Sequence, residues 1–247
     1  MVIDLNCDVG EGAGLDERIL PLVSSANVAC GFHAGDPATI RGTVRLAKRF
    51  GVAVGAHPSY PDRLGFGRRA MAASPEEVRD DVTYQVGAVL GFCRAEGVPL
   101  VHVKPHGALY NAAAQDRALA EAVCQAVRSI DPALIVVCLA GSPMVEVARG
   151  LGLRCAEEAF ADRGYTLRGT LVPRTQPGAV IEDPERVAER VATLARERRL
   201  LSVEGSPVAV SADTVCLHGD TPGAVELAAA IRGRLDREGV AVRSLAR

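Results

Sequence analysis

The chain has 247 residues, 48% hydrophobic and 23% charged, with 25 Gly and 14 Pro, which fits one α/β barrel of roughly 250 residues or two small domains. A net charge of −2 argues against nucleic acid or a membrane surface as partner. No apolar run approaches the ~20 residues of a membrane span, and the opening MVIDLNCD has neither the basic nor the apolar region of a secretory leader, so a cytoplasmic protein is expected.

Residues 2–8 alternate, with Ile3, Leu5 and Cys7 against Asp4, Asn6 and Asp8, as a strand with one polar face does. A Gly-rich loop holding Glu11 leads to a helix over residues 16–23. Residues 26–33 read as a second strand, with Val28, Cys30 and Phe32 opposite Asn27, Ala29, Gly31 and His33. Asp36 and Pro37 open a helix as N-cap and first helical residue. A third strand over residues 52–57 ends at His57. The loop at 58–73 is Gly-rich and basic at Arg63, Arg68 and Arg69, the composition of a lid or substrate loop. Ser74-Pro75-Glu76-Glu77 is a capping box, and its helix ends near Gly97.

Residues 100–106 place Val101, Val103 and Pro105 on one face and His102, Lys104 and His106 on the other. That second face would be costly in a dry core, where charge must be paired. An edge strand with a wet outer face would alternate in the same way, but four other segments repeat the pattern. A helix follows over residues 116–130, then an apolar strand at 134–139 and a helix after Ser142-Pro143. A weaker strand at 154–162 ends in Glu158, Phe160 and Asp162. The loop at 163–177 carries Arg163, Tyr165, Arg168 and Arg174. A helix from Asp183 to about residue 199 precedes a hairpin at 200–210. The strand at 214–220 sets Val215 and Leu217 opposite Cys216, His218 and Asp220. A last helix and a short strand at 240–245 close the chain.

Strands alternating with helices predict a parallel sheet. Strands covered on both faces should be apolar throughout; residues 134–139 are, whereas 2–8, 100–106 and 214–220 are not. Their polar groups share one face and gather before the loops. A closed barrel with a polar upper lumen explains this, since barrel sites lie at that end. A doubly wound open sheet is the alternative, but neither a Rossmann fingerprint nor a Walker A sequence is present. The seven cysteines are scattered without a CxxC pair and read as reduced thiols. All five histidines (His33, His57, His102, His106, His218) fall on strands or their ends. With Asp8, Glu11, Lys104, Asp162 and Asp220 they form a candidate site. Asp8, His33 and His57 could hold a divalent metal. Lys104 is one of two lysines against 26 arginines, so a compact ammonium is expected there rather than charge alone.

The blocks DLNCDVGEG (4–12), SANVACGFHAGDP (25–37), GAHPSYPDRLGFGRR (55–69), VKPHGALYN (103–111), FADRGY (160–165) and CLHGDTP (216–222) resemble the LamB/YcsF family in order over nearly the whole chain. The resemblance implies a single-domain, seven-stranded TIM-like barrel of the glycoside hydrolase/deacetylase type. It also implies the A subunit of a prokaryotic 5-oxoprolinase, which with subunits B and C hydrolyses 5-oxo-L-proline to L-glutamate at the expense of ATP. A lactam is resonance-stabilised, and ATP can convert its oxygen into a better leaving group; such phosphoryl transfer calls for positioned cations and Mg²⁺.

Asp8 or His57 is then the expected base, and Lys104 with one or more of Arg63, Arg68 and Arg69 holds phosphate or carboxylate oxygens. His106, Asp162 and His218 orient substrate or carry protons. Glu11, His33, Tyr110, Asn111, Arg163, Arg174 and Asp220 are expected to complete the binding site. Two rivals are a metal-dependent deacetylase-like hydrolase acting on a carbohydrate or other amide, and a non-catalytic lactam-binding subunit. Lys104→Arg is expected to keep its melting temperature and lose at least ~10²-fold in turnover, a typical scale for misplaced reacting groups.

Overall fold

The computed structural model describes residues 1–173, 175–219 and 223–246. In chain order its strands are β1 (Val2–Val9), β2 (Ser25–Ala29), β3 (Ala53–His57), β4 (Leu100–Val103), β5 (Ile135–Leu139), β6 (Arg154–Phe160), β7 (Arg199–Leu201), β8 (Pro207–Ala209), β9 (Thr214–Leu217) and β10 (Ala241–Val242). The helices are α1 (Asp16–Ile19), α2 (Pro37–Phe50), α3 (Pro75–Glu96), α4 (Gly107–Ala113), α5 (Arg117–Ile130), α6 (Pro143–Gly150), α7 (Pro184–Glu197) and α8 (Ala224–Arg237). Strands β1 to β6 pair in sequence, and β9 pairs with both β6 and β1, so seven parallel strands close into a barrel. The antiparallel hairpin β7–β8 stands outside it, and β10 extends the sheet beside the start of β1.

Local chemistry starts and stops the helices as expected. Asp36 accepts a hydrogen bond from the Thr39 amide ahead of Pro37, and Ser74 and Glu77 complete their capping box. Gly51 and Gly97 end α2 and α3 in the left-handed region, where glycine carries no Cβ penalty. Ser142 holds the N-cap position of α6, but its hydroxyl makes no capping bond. Three elements differ from expectation. The second strand stops at Ala29 because Gly31 and Gly35, at φ +99° and +82°, turn the chain, so His33 stands on a loop. The first helix is one turn followed by a 3₁₀ turn through Pro21. A further helix, α4, begins directly after His106.

Residues paired across parallel strands share a face, and this register divides the barrel into two layers. Ile3, Leu5, Cys7, Val28, Val54, Val103, Val136 and Val215 join the apolar core between strands and helices. The opposite faces line the lumen, where polar groups from β1, β2, β4, β6 and β9 occur at every level while Ile135, Val137 and Ala156 form an apolar wall on β5 and β6. Near the bottom, Asp4 accepts hydrogen bonds from the hydroxyls of Ser24, Ser25 and Thr214. Above it, Asn6 donates to Glu158 Oε1 at 2.9 Å, and Asn27 donates to Asn6 and Asp8 at 2.7 and 2.8 Å. His102 reaches Asn27 Oδ1 at 2.8 Å.

Gly55 makes room for that ring: a Cβ on it would lie 2.1 Å from His102 Nε2. Gly55→Ala is therefore expected to displace a fully buried histidine, costing about 1–3 kcal/mol as overpacking does. Thermal unfolding checks this; each kcal/mol corresponds to roughly 2–4 °C for a chain of this size. An unchanged melting temperature would show that the lumen yields at this layer.

Candidate active site

The strand ends converge on a cavity of about 300 Å³ at the C-terminal mouth of the barrel. Asp8, His57, Lys104, His106 and His218 line it, with Arg68, Tyr110, Asn111, Phe160 and Arg163 on its walls. β1 delivers Asp8, β3 delivers His57, and the residues just past β4 and β9 deliver Lys104, His106 and His218. His33 stacks face to face on His106 with ring centroids 3.9 Å apart.

Lys104 is 2% exposed, with polar partners around its ammonium on the inner side of the cavity. Its ammonium lies 3.1 Å from Asp8 Oδ1, 3.0 Å from Glu158 Oε1, 3.3 Å from Asn6 Oδ1 and 3.0 Å from Cys216 Sγ. The Phe160 ring covers it at 5.5 Å. Burial alone would lower the Lys104 pKa, but Asp8, Cys216 and Glu158 hold it well above the ordinary value. Burial would likewise raise the Asp8 carboxyl, yet His57 and Lys104 overcome this and keep it well below the carboxylate range. Both groups are therefore ionised, and removing either partner would strand a buried charge.

The histidines are held by defined oxygens. His57 Nδ1 lies 2.7 Å from the Lys104 carbonyl, and His106 Nε2 lies 2.9 Å from the Phe66 carbonyl. His33 Nδ1 lies 3.0 Å from the Ser59 hydroxyl, which donates to the Tyr60 carbonyl. Burial lowers the His33 pKa to about 3 and also lowers that of His106, with His57 adding to both shifts. His218 Nδ1 lies 3.0 Å from Asp162 Oδ2, and its ring stacks on Phe160 at 5.3 Å. A buried carboxylate on one imidazole nitrogen fixes the tautomer and offers the other nitrogen, Nε2, for proton transfer.

No motif singles out Glu158, although it shares the parity of Phe160 and Asp162 on β6; only its register against Thr214 brings it to Lys104. Tyr110 has a fully buried hydroxyl raised well above its usual pKa by burial and then by Glu158, with no hydrogen bond of good geometry joining them.

Some expected contacts lie elsewhere. Arg63 donates to the carbonyls of Gly31 and Gly35 at 3.0 and 2.9 Å, and Arg69 pairs with Asp62. Both fasten the 58–73 loop, so of its three arginines Arg68 is the one that lines the cavity. Arg163 also lines it, but spends Nε and Nη2 on the carbonyls of Ala179 and Val172, at 3.0 and 2.7 Å. The second bond ties Arg163 to Val172, which lines the cavity with Leu171 and Pro173. Arg174 and Asp220 lie outside the described residues.

For a metal, the donor atoms that converge are those of Glu11, His33, His57 and His106, all within 4.8 Å of one another. This set replaces Asp8 by Glu11 and His106. A second group, Asp8, Cys216 and His218, already has the Lys104 ammonium between two of its members. Among the described residues no helix is long and apolar enough to cross a membrane.

The model of the LamB/YcsF family matches residues 3–247. The A subunit of the 5-oxoprolinase of Pyrococcus furiosus is 53% identical over 247 residues, covering 98% of this chain and 97% of its own. The protein of the same name from Bordetella pertussis is 51% identical over 98% of both chains. The crystal structure of a lactam utilization protein from Thermus thermophilus superposes with a TM-score of 0.95 at 53% identity, covering 99% of this chain and 100% of that one. A family 4 carbohydrate esterase from Streptomyces lividans, with a TM-score of 0.51 at 10% identity over 98% of this chain and 91% of that one, shares the barrel fold alone. On the match over residues 3–247 and these identities, the chain is a member of the LamB/YcsF family.

Proposed function

We propose that this chain is the A subunit of a 5-oxoprolinase, acting with subunits B and C in the ATP-dependent hydrolysis of 5-oxo-L-proline to L-glutamate. Relatives at about half identity carry that name. The observation that carries the chemistry is the convergence of Lys104, Asp8 and the His218–Asp162 pair on one small cavity.

A volume near 300 Å³ stands at the low end for ligand pockets. It suits a five-membered lactam with one carboxylate better than a nucleoside triphosphate. The lactam therefore binds within, and ATP with Mg²⁺ meets it from the rim or from another member of the complex. Arg68 supplies a cation on the cavity wall for the carboxylate or a phosphate. The buried ammonium of Lys104 stabilises negative charge developing on the lactam oxygen, in the manner of a preorganised oxyanion site. Ring opening consumes one water: its oxygen bonds to the carbonyl carbon, the C–N bond breaks, and its proton reaches the ring nitrogen, which departs as the amine of glutamate. A second water is consumed as ATP becomes ADP and phosphate.

His218 is the better carrier of that proton than Asp8 or His57. Asp8 spends both oxygens on Lys104, Asn27 and His57 and is held strongly ionised, which makes it a weak base. His57 is committed to Asp8, His106 and a backbone carbonyl.

The decisive experiment is 5-oxoproline-dependent ATP hydrolysis and glutamate release, measured with and without subunits B and C. The isolated chain is expected to be nearly inactive and to gain activity on addition of both partners. Strong ATP-dependent glutamate release by the isolated chain, or none with the full set, would overturn the assignment.

A further inference from the structure

Glu11, His33, His57 and His106, the last two of which line the cavity, are set out as ligands. The outer nitrogen of each histidine faces an oxygen. His57 Nδ1 and His106 Nε2 meet the carbonyls of Lys104 and Phe66, which only accept, so both nitrogens carry protons. His33 Nδ1 meets the Ser59 hydroxyl, whose own proton goes to the Tyr60 carbonyl, so this nitrogen donates as well. In the neutral rings the inner nitrogens, His33 Nε2, His57 Nε2 and His106 Nδ1, then present lone pairs. A metal on His57 Nε2 would take the place of the proton that this nitrogen otherwise shares with Asp8 Oδ2 at 3.3 Å. The inner nitrogens point at one another and at Glu11 Oε1. His57 Nε2 lies 3.0 Å from His106 Nδ1, His33 Nε2 lies 3.0 Å from Glu11 Oε1, and His106 Nδ1 lies 3.5 Å from the same oxygen. Three imidazole nitrogens and a carboxylate oxygen, all within 4.8 Å of one another, make a donor set that one cation can bridge.

We propose that Glu11, His33, His57 and His106 bind one divalent transition-metal ion of the zinc type, in a four-coordinate, near-tetrahedral site. Zinc bonds of about 2.0–2.1 Å at tetrahedral angles separate neighbouring ligand atoms by about 3.3 Å. Three of the six separations, 3.0, 3.0 and 3.5 Å, bracket that value, and all six lie within 4.8 Å. Metal-bound histidines characteristically donate their other N–H to a carbonyl, carboxylate or water, which orients the ring; the three outer contacts supply that arrangement. Three imidazoles suit zinc, cobalt or nickel, whereas Mg²⁺ prefers oxygen ligands. The site is thus distinct from any Mg²⁺ that accompanies a nucleotide. Gly10 and Gly12, at φ +72° and +87°, flank Glu11 and let its loop fold inward.

With four protein ligands the ion keeps no open position, so its task is to organise. It ties the connections after β1, β2 and β4 to the end of β3 on one wall of the cavity. Its charge would also act on Asp8, whose Oδ2 lies 3.3 Å from His57 Nε2, and so on the carboxylate that holds Lys104.

The test uses the untagged full-length chain, stripped with a chelator and then titrated. Zn²⁺ is expected to bind at one ion per chain and to raise the melting temperature as its concentration rises. Co²⁺ is expected to give the intense visible absorption of a tetrahedral centre. His33→Gln and Glu11→Gln should each weaken Zn²⁺ binding by at least ~10-fold, the lower end of the scale for disturbing a metal's surroundings. His218→Gln, which alters the rival donor group, should leave it unchanged. Absence of stoichiometric zinc binding, a weak octahedral cobalt spectrum, or loss of binding in His218→Gln alone would each overturn the proposal. Should a ligand variant fail to fold, the wild-type stoichiometry and cobalt spectrum still decide.

Discussion

His218→Ala in the assembled complex is expected to lose ~10²–10⁴-fold in kcat, the usual range for removing a general acid–base, with a much smaller change in KM. The argument rests on position. Asp162 is fully buried and accepts from His218 Nδ1 at 3.0 Å, and Phe160 stacks on the ring, so orientation and tautomer are both set before substrate arrives. Truncation leaves a hole open to the cavity, and added imidazole should restore part of the lost turnover. Asp162→Asn should reproduce much of the kcat loss without touching substrate, because the amide no longer stabilises the imidazolium, and imidazole should not rescue it. Wild-type kcat in His218→Ala would remove His218 from proton transfer. A loss confined to KM would make it a binding residue.

Much of this site is legible in strand parity. DLNCD on β1 and VHVKPH around β4 alternate so strictly that only a polar lumen accommodates them, and register then brings Asp8, Asn27 and Lys104 together. His33 shows the limit of that reasoning. Parity with Asn27 puts it on the correct side for the wrong cause, since the strand ends four residues earlier and two left-handed glycines bring the ring back to His106. The arginines show another limit. A basic, Gly-rich loop reads alike whether its guanidinium groups face a ligand or tie the loop down, and for Arg63 and Arg69 the partners are a pair of carbonyls and Asp62. Glu158 shares the parity of Phe160 and Asp162, but with Glu157 beside it identical in type nothing marks it as the partner of Lys104. Glu157 faces outward to Arg149 and Glu158 faces inward to Lys104, a difference of one residue of register.

Lys104→Arg is expected to lose at least ~10²-fold in turnover, the scale for misplacing reacting groups by about 1 Å, and also to melt earlier than wild type. The second effect departs from what composition alone suggests. A lysine in an open lumen could exchange for arginine without strain, whereas Lys104 is closed in by Asp8, Glu158, Asn6, Cys216 and Phe160. A planar guanidinium is larger than an ammonium and cannot direct donors to all four polar partners from one point. Overpacking of this kind costs about 1–3 kcal/mol, or roughly 2–12 °C at 2–4 °C per kcal/mol for a chain of this length. The turnover loss must therefore be read at a temperature where the variant is fully folded. Lys48→Arg is the control: Lys48 lies on the exposed side of α2 and donates to the Glu96 carbonyl at the end of α3, a bond arginine can also make. Lys104→Met separates charge from shape. It leaves Asp8 and Glu158 buried without their cation, so it should destabilise more than Lys104→Arg, by about 3–5 kcal/mol. Full turnover in folded Lys104→Arg would show that only the charge matters, and Lys104 would become a structural counter-ion for Asp8 and Glu158.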